Sequence, residues 1–133
     1  IDHLDEYITK KFGLIVVDTI TSLYRVELGS PKETFALNRE LNRQVAFLAQ
    51  IAKTHKVAVL ITSQVRSVFL EEQVTMEPVA TRVLKFWSDV VLNLKQTGQT
   101  RVIKVLLEKH PEHKRSASCY VRIERTVIQD YRR

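Results

Sequence analysis

Apolar residues gather along this chain in two short unbroken runs, separated by a long segment in which they recur at helical intervals. The first run, Leu14-Ile15-Val16-Val17, ends abruptly on Asp18, and the second, Val57-Ala58-Val59-Leu60-Ile61-Thr62, closes on Ser63-Gln64. Runs rich in β-branched residues and lacking polar alternation suit strands covered on both faces, so both are predicted as neighbouring parallel strands. Between them, Ser30-Pro31-Lys32-Glu33 combines a capping serine, a proline at the first helical position and a glutamate at the third. That set satisfies or removes exposed amide donors and predicts a helix start. In the helix, Leu37, Leu41, Val45, Leu48 and Ala52 fall on one stripe, with Arg39, Glu40, Arg43, Gln50 and Lys53 off it.

Upstream, Ile1, Leu4 and Ile8 recur at helical spacing, and Gly13 closes that amphipathic segment. Residues 19–29 and 66–77 hold no sustained period and read as loops, the second a mobile one. Pro78 opens a short helix reaching about Phe86. Strands are then expected over Val90–Lys95 and Arg101–Lys109, joined around Thr97-Gly98, whose composition suits a hairpin connection. A further strand, Ser118–Glu124, alternates Cys119, Val121 and Ile123 against Tyr120, Arg122 and Glu124, as a half-exposed antiparallel strand does. The basic turn Lys109-His110-Pro111-Glu112-His113-Lys114-Arg115 lies between the last two strands. The predicted fold class is α/β, with parallel central strands, an antiparallel carboxyl-terminal end and one domain over residues 1–133. No internal repeat or linker-like stretch interrupts it.

At 133 residues and 44% hydrophobic content the chain can bury a substantial core. A formal net charge of +6 favours an anionic partner and points modestly to nucleic acid. The single cysteine, Cys119, excludes an internal disulfide framework and suits a reducing compartment. One cysteine and four scattered histidines do not make a zinc site. Apolar stretches are too short to span a bilayer and the amino terminus lacks a signal-peptide layout, so an intracellular, cytoplasmic protein without membrane contact is expected.

The chemistry centres on the strand ends. An acid at the carboxyl end of a parallel strand stands where α/β folds bind ligands, and can hold the water shell of a magnesium ion that also touches phosphates. Asp18 has the Walker B position of such a strand. Aspartate is equally a turn former and helix cap, so the residue alone leaves both roles open. Gln64 reads alike as a strand-end polar residue or as an amide contacting a ligand. Gly13, Gly29 and Gly98 are too far apart to form a phosphate-cradling loop.

The order of elements, with the strings Leu14-Ile15-Val16-Val17-Asp18, Thr19-Ile20-Thr21-Ser22-Leu23-Tyr24-Arg25 and Leu60-Ile61-Thr62-Ser63-Gln64-Val65, resembles the RecA-family recombinase core. Within that family the archaeal RadB branch and the related RadA recombinases are the nearest in pattern. The likeness implies a RecA-like P-loop NTPase core, a three-layer α/β/α arrangement of which this chain matches the carboxyl-terminal part. It further implies ATP and Mg2+ as cofactors, with Asp18 the magnesium-associated carboxylate, Thr19 beside it in the nucleotide site and Gln64 the catalytic γ-phosphate sensor.

By the same resemblance Tyr24 and Arg25 lie in a first DNA-facing loop, and Arg66 and Phe69 in a second. Guanidinium groups there neutralise phosphates, and Tyr24 or Phe69 supplies a stacking face. The basic turn resembles the segment that faces a neighbouring subunit's nucleotide in family filaments, which makes Lys109 and His110 nucleotide-site candidates. Implied partners are single-stranded DNA and a RadA-type recombinase or further copies of this chain, with a nucleoid-associated location. The family's glycine-rich Gly-Lys-Thr or Gly-Lys-Ser loop and its water-activating glutamate lie upstream of the matched region. The residues at hand are therefore not expected to hydrolyse ATP alone, and the complete protein is expected to be a weak DNA-dependent ATPase. The 66–77 loop is short and acidic rather than glycine-rich, which favours a recombination mediator over a principal strand-exchange enzyme. A non-catalytic recombinase-docking module with a degenerate nucleotide site, and another RecA-like motor ATPase, are the alternatives.

Overall fold

The computed structural model describes residues 1–8, 12–20, 31–64 and 79–132. They form two compact units, Ile1–Trp87 and Ser88–Arg133. The first holds α1 (Leu4–Tyr7), β1 (Leu14–Val17), α2 (Pro31–His55), β2 (Ala58–Ile61) and α3 (Val79–Trp87). The second holds β3 (Val91–Gln96), β4 (Val102–Lys109), β5 (Ala117–Ile123) and β6 (Ile128–Asp130).

In the first unit β1 and β2 pair in parallel, Leu14 with Ala58 through Val17 with Ile61, as the two apolar runs predict. The ladder extends at both ends: the Ala58 amide donates to Gly13 O (3.0 Å) and the Thr62 amide to Val17 O (3.0 Å). The helical stripe is where the period placed it. Leu41, Val45 and Leu48 form the core with Ile20, and Leu4, Val17, Val59, Ile61, Val83, Leu84 and Trp87 pack against them. Ile51, on the same side of α2, is also buried. A bond from Trp87 Nε1 to Asn42 Oδ1 (2.9 Å) ties α3 to α2.

Three expectations differ from the structure. Leu14, Val16 and Leu60 are 53%, 54% and 52% exposed, so this pair of strands is covered on one face rather than two among the described residues. The helices reach only the face carrying Val17, Val59 and Ile61. Ile20, expected in a loop, is instead buried, because its amide donates to Thr62 O (3.1 Å) and turns the side chain into the core. The opening helix is one short turn, shorter than its spacing suggested.

Helix α2 ends in a left-handed residue. Lys56 has φ 53° and the Val57 amide donates to Ala52 O (3.2 Å), the six-to-one bond of a Schellman stop. A side chain at that φ is strained, so Lys56→Gly is expected to raise stability by about 0.5–1 kcal/mol in urea unfolding.

On the outer side of α2, Arg43 lies between two acids: Nη2 is 2.6 Å from Glu40 Oε1 and Nη1 is 2.9 Å from Asp2 Oδ1. The bond from Arg43, with a second from Gln44, brings the Glu40 carboxyl down from 4.5 to about 2. Asp2 is lowered and Arg43 raised by the same contacts. A carboxyl held low in the folded state contributes stability above its unfolded value near 4.5 and loses it as pH falls toward about 2. Carboxyl NMR titration is expected to place Glu40 near 2, with Arg43→Gln returning it toward 4.5. These groups are exposed, so solvent screening keeps the stability share small.

The second unit is an antiparallel sheet of order β3-β4-β5-β6. Strand β6 leaves no signal in the sequence, since three exposed residues show no usable period. The hairpin after β3 is present, but its left-handed residue is Arg101 (φ 63°) and not Gly98. Thr97 holds the connection, its hydroxyl donating to Val102 O (2.8 Å) and accepting from the Gln99 amide (3.2 Å). On β5, Cys119 and Ile123 are exposed, contrary to the expected burial of the Cys119, Val121 and Ile123 side. Ile128, the in-register partner of Ile123, is exposed as well, as are Leu92 and Leu94, which reach the same side of the sheet through β4, so this apolar side lacks a covering layer among the described residues.

Candidate functional site

Both parallel strands finish at the same edge, and register decides what meets there. Because Val17 pairs with Ile61, the next residues, Asp18 and Thr62, come side by side. The Thr62 hydroxyl donates to Asp18 Oδ1 at 2.5 Å. Thr62 is held through its main chain too, its amide on Val17 O and its carbonyl accepting from Ile20. Three contacts from one residue fix the turn that presents the acid. The Asp18–Thr19 peptide is cis.

Asp18 is exposed, with Thr19, Thr62 and Ser63 half-buried around the same strand ends and Gln64 exposed two residues beyond Thr62. The edge therefore offers one carboxylate, several hydroxyls and an amide, all hard oxygen donors except the amide nitrogen. This donor set fits Mg2+, which keeps most of its water and takes one or two carboxylates together with phosphate oxygens. It does not fit a protein-caged transition metal. Among the described residues, no group of three or more His, Cys, Asp or Glu side chains comes together.

Of the residues named from sequence, the fold brings Asp18, Thr19 and Gln64 to one edge of the first unit. Lys109 and His110 belong to the second unit. Lys109 ends β4, paired with Val91 across a register shift. His110 Nδ1 accepts from the Glu112 amide (3.1 Å), and its ring centroid is 4.7 Å from that of His113. Tyr24, Arg25, Arg66 and Phe69 lie outside the described residues, as does the capping Ser30. Sequence reading missed Thr62, which looked like the polar end of an apolar strand. The signal that finds it is the pairing offset between the two runs, which only the sheet supplies.

Replacing Thr62 with valine keeps the shape and removes the bond to Asp18. The variant is expected to unfold about 1 kcal/mol more easily, whereas Thr62→Ser stays close to wild type, as read by urea denaturation.

Comparison with known proteins gives a consistent set of likenesses. The Rad51 family profile matches residues 2–131. The chain is 41% identical over 104 residues to a DNA repair and recombination protein RadB from Methanocaldococcus jannaschii, covering 77% of this chain and 46% of that protein. It is 36% identical over 124 residues to the RadB of Methanococcus maripaludis strain C5, covering 92% of this chain and 55% of that protein. A crystal structure of the RadB recombinase superposes with a TM-score of 0.73 at 27% identity, covering 98% of this chain and 57% of that one. The chain thus spans about half the length of the curated relatives it matches. No described helix is long and apolar enough to cross a membrane.

Proposed function

The chain belongs to the Rad51 family and has its RecA-like α/β fold, and from that premise we propose that it serves DNA repair by homologous recombination as a RadB-type protein. In this reading the complete protein binds ATP with Mg2+, engages single-stranded DNA and assists assembly of a RadA-type recombinase or of its own copies. The observation that carries it is the paired edge of β1 and β2, where Thr62 fixes the exposed Asp18 carboxylate.

Asp18 would hold Mg2+ through its outer lone pairs, with Thr19 adjoining. When bound, the ion neutralises charge on the phosphates. Gln64 would contact the terminal phosphate, donating through its amide nitrogen. It lies two residues before Arg66, where the segment that resembles the second DNA loop begins, with Phe69 further along it. A γ-phosphate contact at such a position can order or release the adjoining loop, as in other nucleotide switches. Tyr24 and Arg25 would meet the same strand from the first loop. Lys109 and His110 would face the nucleotide of a neighbouring subunit. This 1–133 stretch is read as the carboxyl-terminal part of one ATPase domain, working inside the cell and near the nucleoid.

The test is ATP-dependent binding of the full-length protein to single-stranded DNA, read by fluorescence anisotropy. Wild type is expected to bind more tightly with Mg-ATP than without nucleotide. Gln64→Ala is expected to keep nucleotide binding while losing that difference. If no nucleotide binds but a recombinase partner still does, the protein is a docking module with a degenerate site and the ATPase reading fails.

A further inference from the structure

Charge is unevenly divided along this chain. Residues 88–133 carry ten Lys and Arg against five Asp and Glu, so nearly all of the net +6 belongs to the antiparallel sheet unit. Strand register places three of these cations, Lys95, Lys104 and Arg122, on one side of the sheet. Lys95 pairs with Lys104 and Lys104 with Tyr120, while the Tyr131 amide donates to Tyr120 O (2.8 Å). In antiparallel strands, directly opposed residues project to the same face. A row of Lys95, Lys104, Tyr120 and Tyr131 therefore crosses all four strands, spanning roughly 14 Å at the usual strand spacing.

Arg122 stands two residues from Tyr120 on the same face, its Cζ 4.6 Å from the Tyr131 ring centroid, and Lys104 Nζ is 5.9 Å from the Tyr120 centroid. Lys95 and Arg122 are exposed, and Lys104, Tyr120 and Tyr131 are half-buried. None of the three cations is paired with a carboxylate among the described residues. The acids of this face sit at its ends, Glu108 accepting from Asn93 (2.7 Å) and Glu124 3.8 Å from Arg101.

From this arrangement we propose that the Lys95, Lys104, Tyr120, Arg122 and Tyr131 face of the antiparallel sheet binds a single-stranded nucleic acid. Cations on one sheet face attract a phosphate backbone, and tyrosine rings or a guanidinium plane between them take up unpaired bases. An acidic protein satisfies the cations but makes no use of the aromatic row. Duplex DNA offers phosphates without free base faces. These residues belong to the second unit, whereas Asp18 and Gln64 belong to the first, and the proposed binding does not depend on a bound nucleotide.

The test titrates the full-length protein into labelled oligo-dT without nucleotide, by anisotropy across a salt series. Lys95→Gln, Lys104→Gln and Arg122→Gln together are expected to weaken binding at least tenfold and to reduce the slope of log affinity against log salt by about 2, as three lost phosphate contacts do. Tyr120→Leu with Tyr131→Leu is expected to weaken oligo-dT binding at least fivefold while leaving duplex binding and heparin binding unchanged. Thermal melts and Mg-ATP binding of both variants should match wild type, which excludes unfolding. Unchanged oligo-dT affinity and salt slope in the triple variant overturn the proposal. An equal loss for heparin and oligo-dT, with no effect of the tyrosines, also overturns it, leaving only a polyanion surface. Arg25→Gln with Arg66→Gln is the separate arm: loss confined to that pair supports the loop reading and overturns the sheet site, whereas loss in both sets supports two contact regions.

Discussion

On the proposed Mg-ATP role, full-length protein carrying Asp18→Asn is expected to lose Mg2+-dependent ATP hydrolysis by at least about a hundredfold, the scale on which a preorganised charge at a phosphoryl site acts. Asparagine is the informative change. Its amide oxygen still accepts the Thr62 hydroxyl, so the turn after β1 keeps its anchor while the formal charge that attracts the ion disappears. Asp18→Ala removes both. If the acid serves the metal, the two variants fall together in Mg-ATP affinity, measured by calorimetry with and without Mg2+. If Asp18 is only a turn residue, Asn behaves as wild type and Ala loses stability instead. Wild-type Mg-ATP affinity in the Asn variant would sink the metal assignment. An exposed carboxylate costs little to neutralise, so the melting temperature of Asp18→Asn is expected to stay near wild type.

Leu48→Ala is expected to cost about 3–5 kcal/mol, a large share of the stability typical of a domain this size. Leu48 is 1% exposed and sits with Val45, Leu41 and Ile20 where α2 lies on β1 and β2. Truncation leaves a cavity that the paired strands and α3 cannot readily close, because Trp87 is fixed to Asn42 on the same helix. Leu60→Ala, on the uncovered face at 52% exposure, is expected to cost less than about 1 kcal/mol, since much of its surface stays in water. Urea unfolding followed at 222 nm, which reports mainly α2, compares the two. Similar losses in both would show that the outer strand face is buried in the working protein. The same layout means that nucleotide binding should fall in Leu48→Ala only as the fold itself is lost.

Local pattern carried much of this structure. The two apolar runs became parallel strands within a residue of their expected ends, because their β-branched content resists helix formation. The Ser30-Pro31-Lys32-Glu33 start signal and the Leu41, Val45, Leu48 stripe located α2, since capping and helical period are both properties of neighbouring residues. The hairpin at Thr97-Gly98 was visible for the same reason, although its strained residue was not. Strand β6 escaped notice because it is short, exposed and held by pairing with β5 rather than by any pattern of its own.

The candidate site divides in the same way. Asp18 and Gln64 were legible as polar residues ending apolar runs, and their order along the chain carried the family likeness. What the sequence determined by itself was therefore most of the elements, the acid at a strand tip and the family. Which residue would stand against that acid depended on register. A one-residue offset between β1 and β2 would have put Thr62 elsewhere, and only the ladder from Gly13 and Ala58 to Val17 and Thr62 settles it. The cationic aromatic row was invisible for a related reason: Lys95, Lys104, Tyr120 and Tyr131 are spread over 37 residues and meet only across four strands. Periodicity is a short-range property of the chain, whereas opposition across a sheet joins distant residues and belongs to the tertiary structure alone.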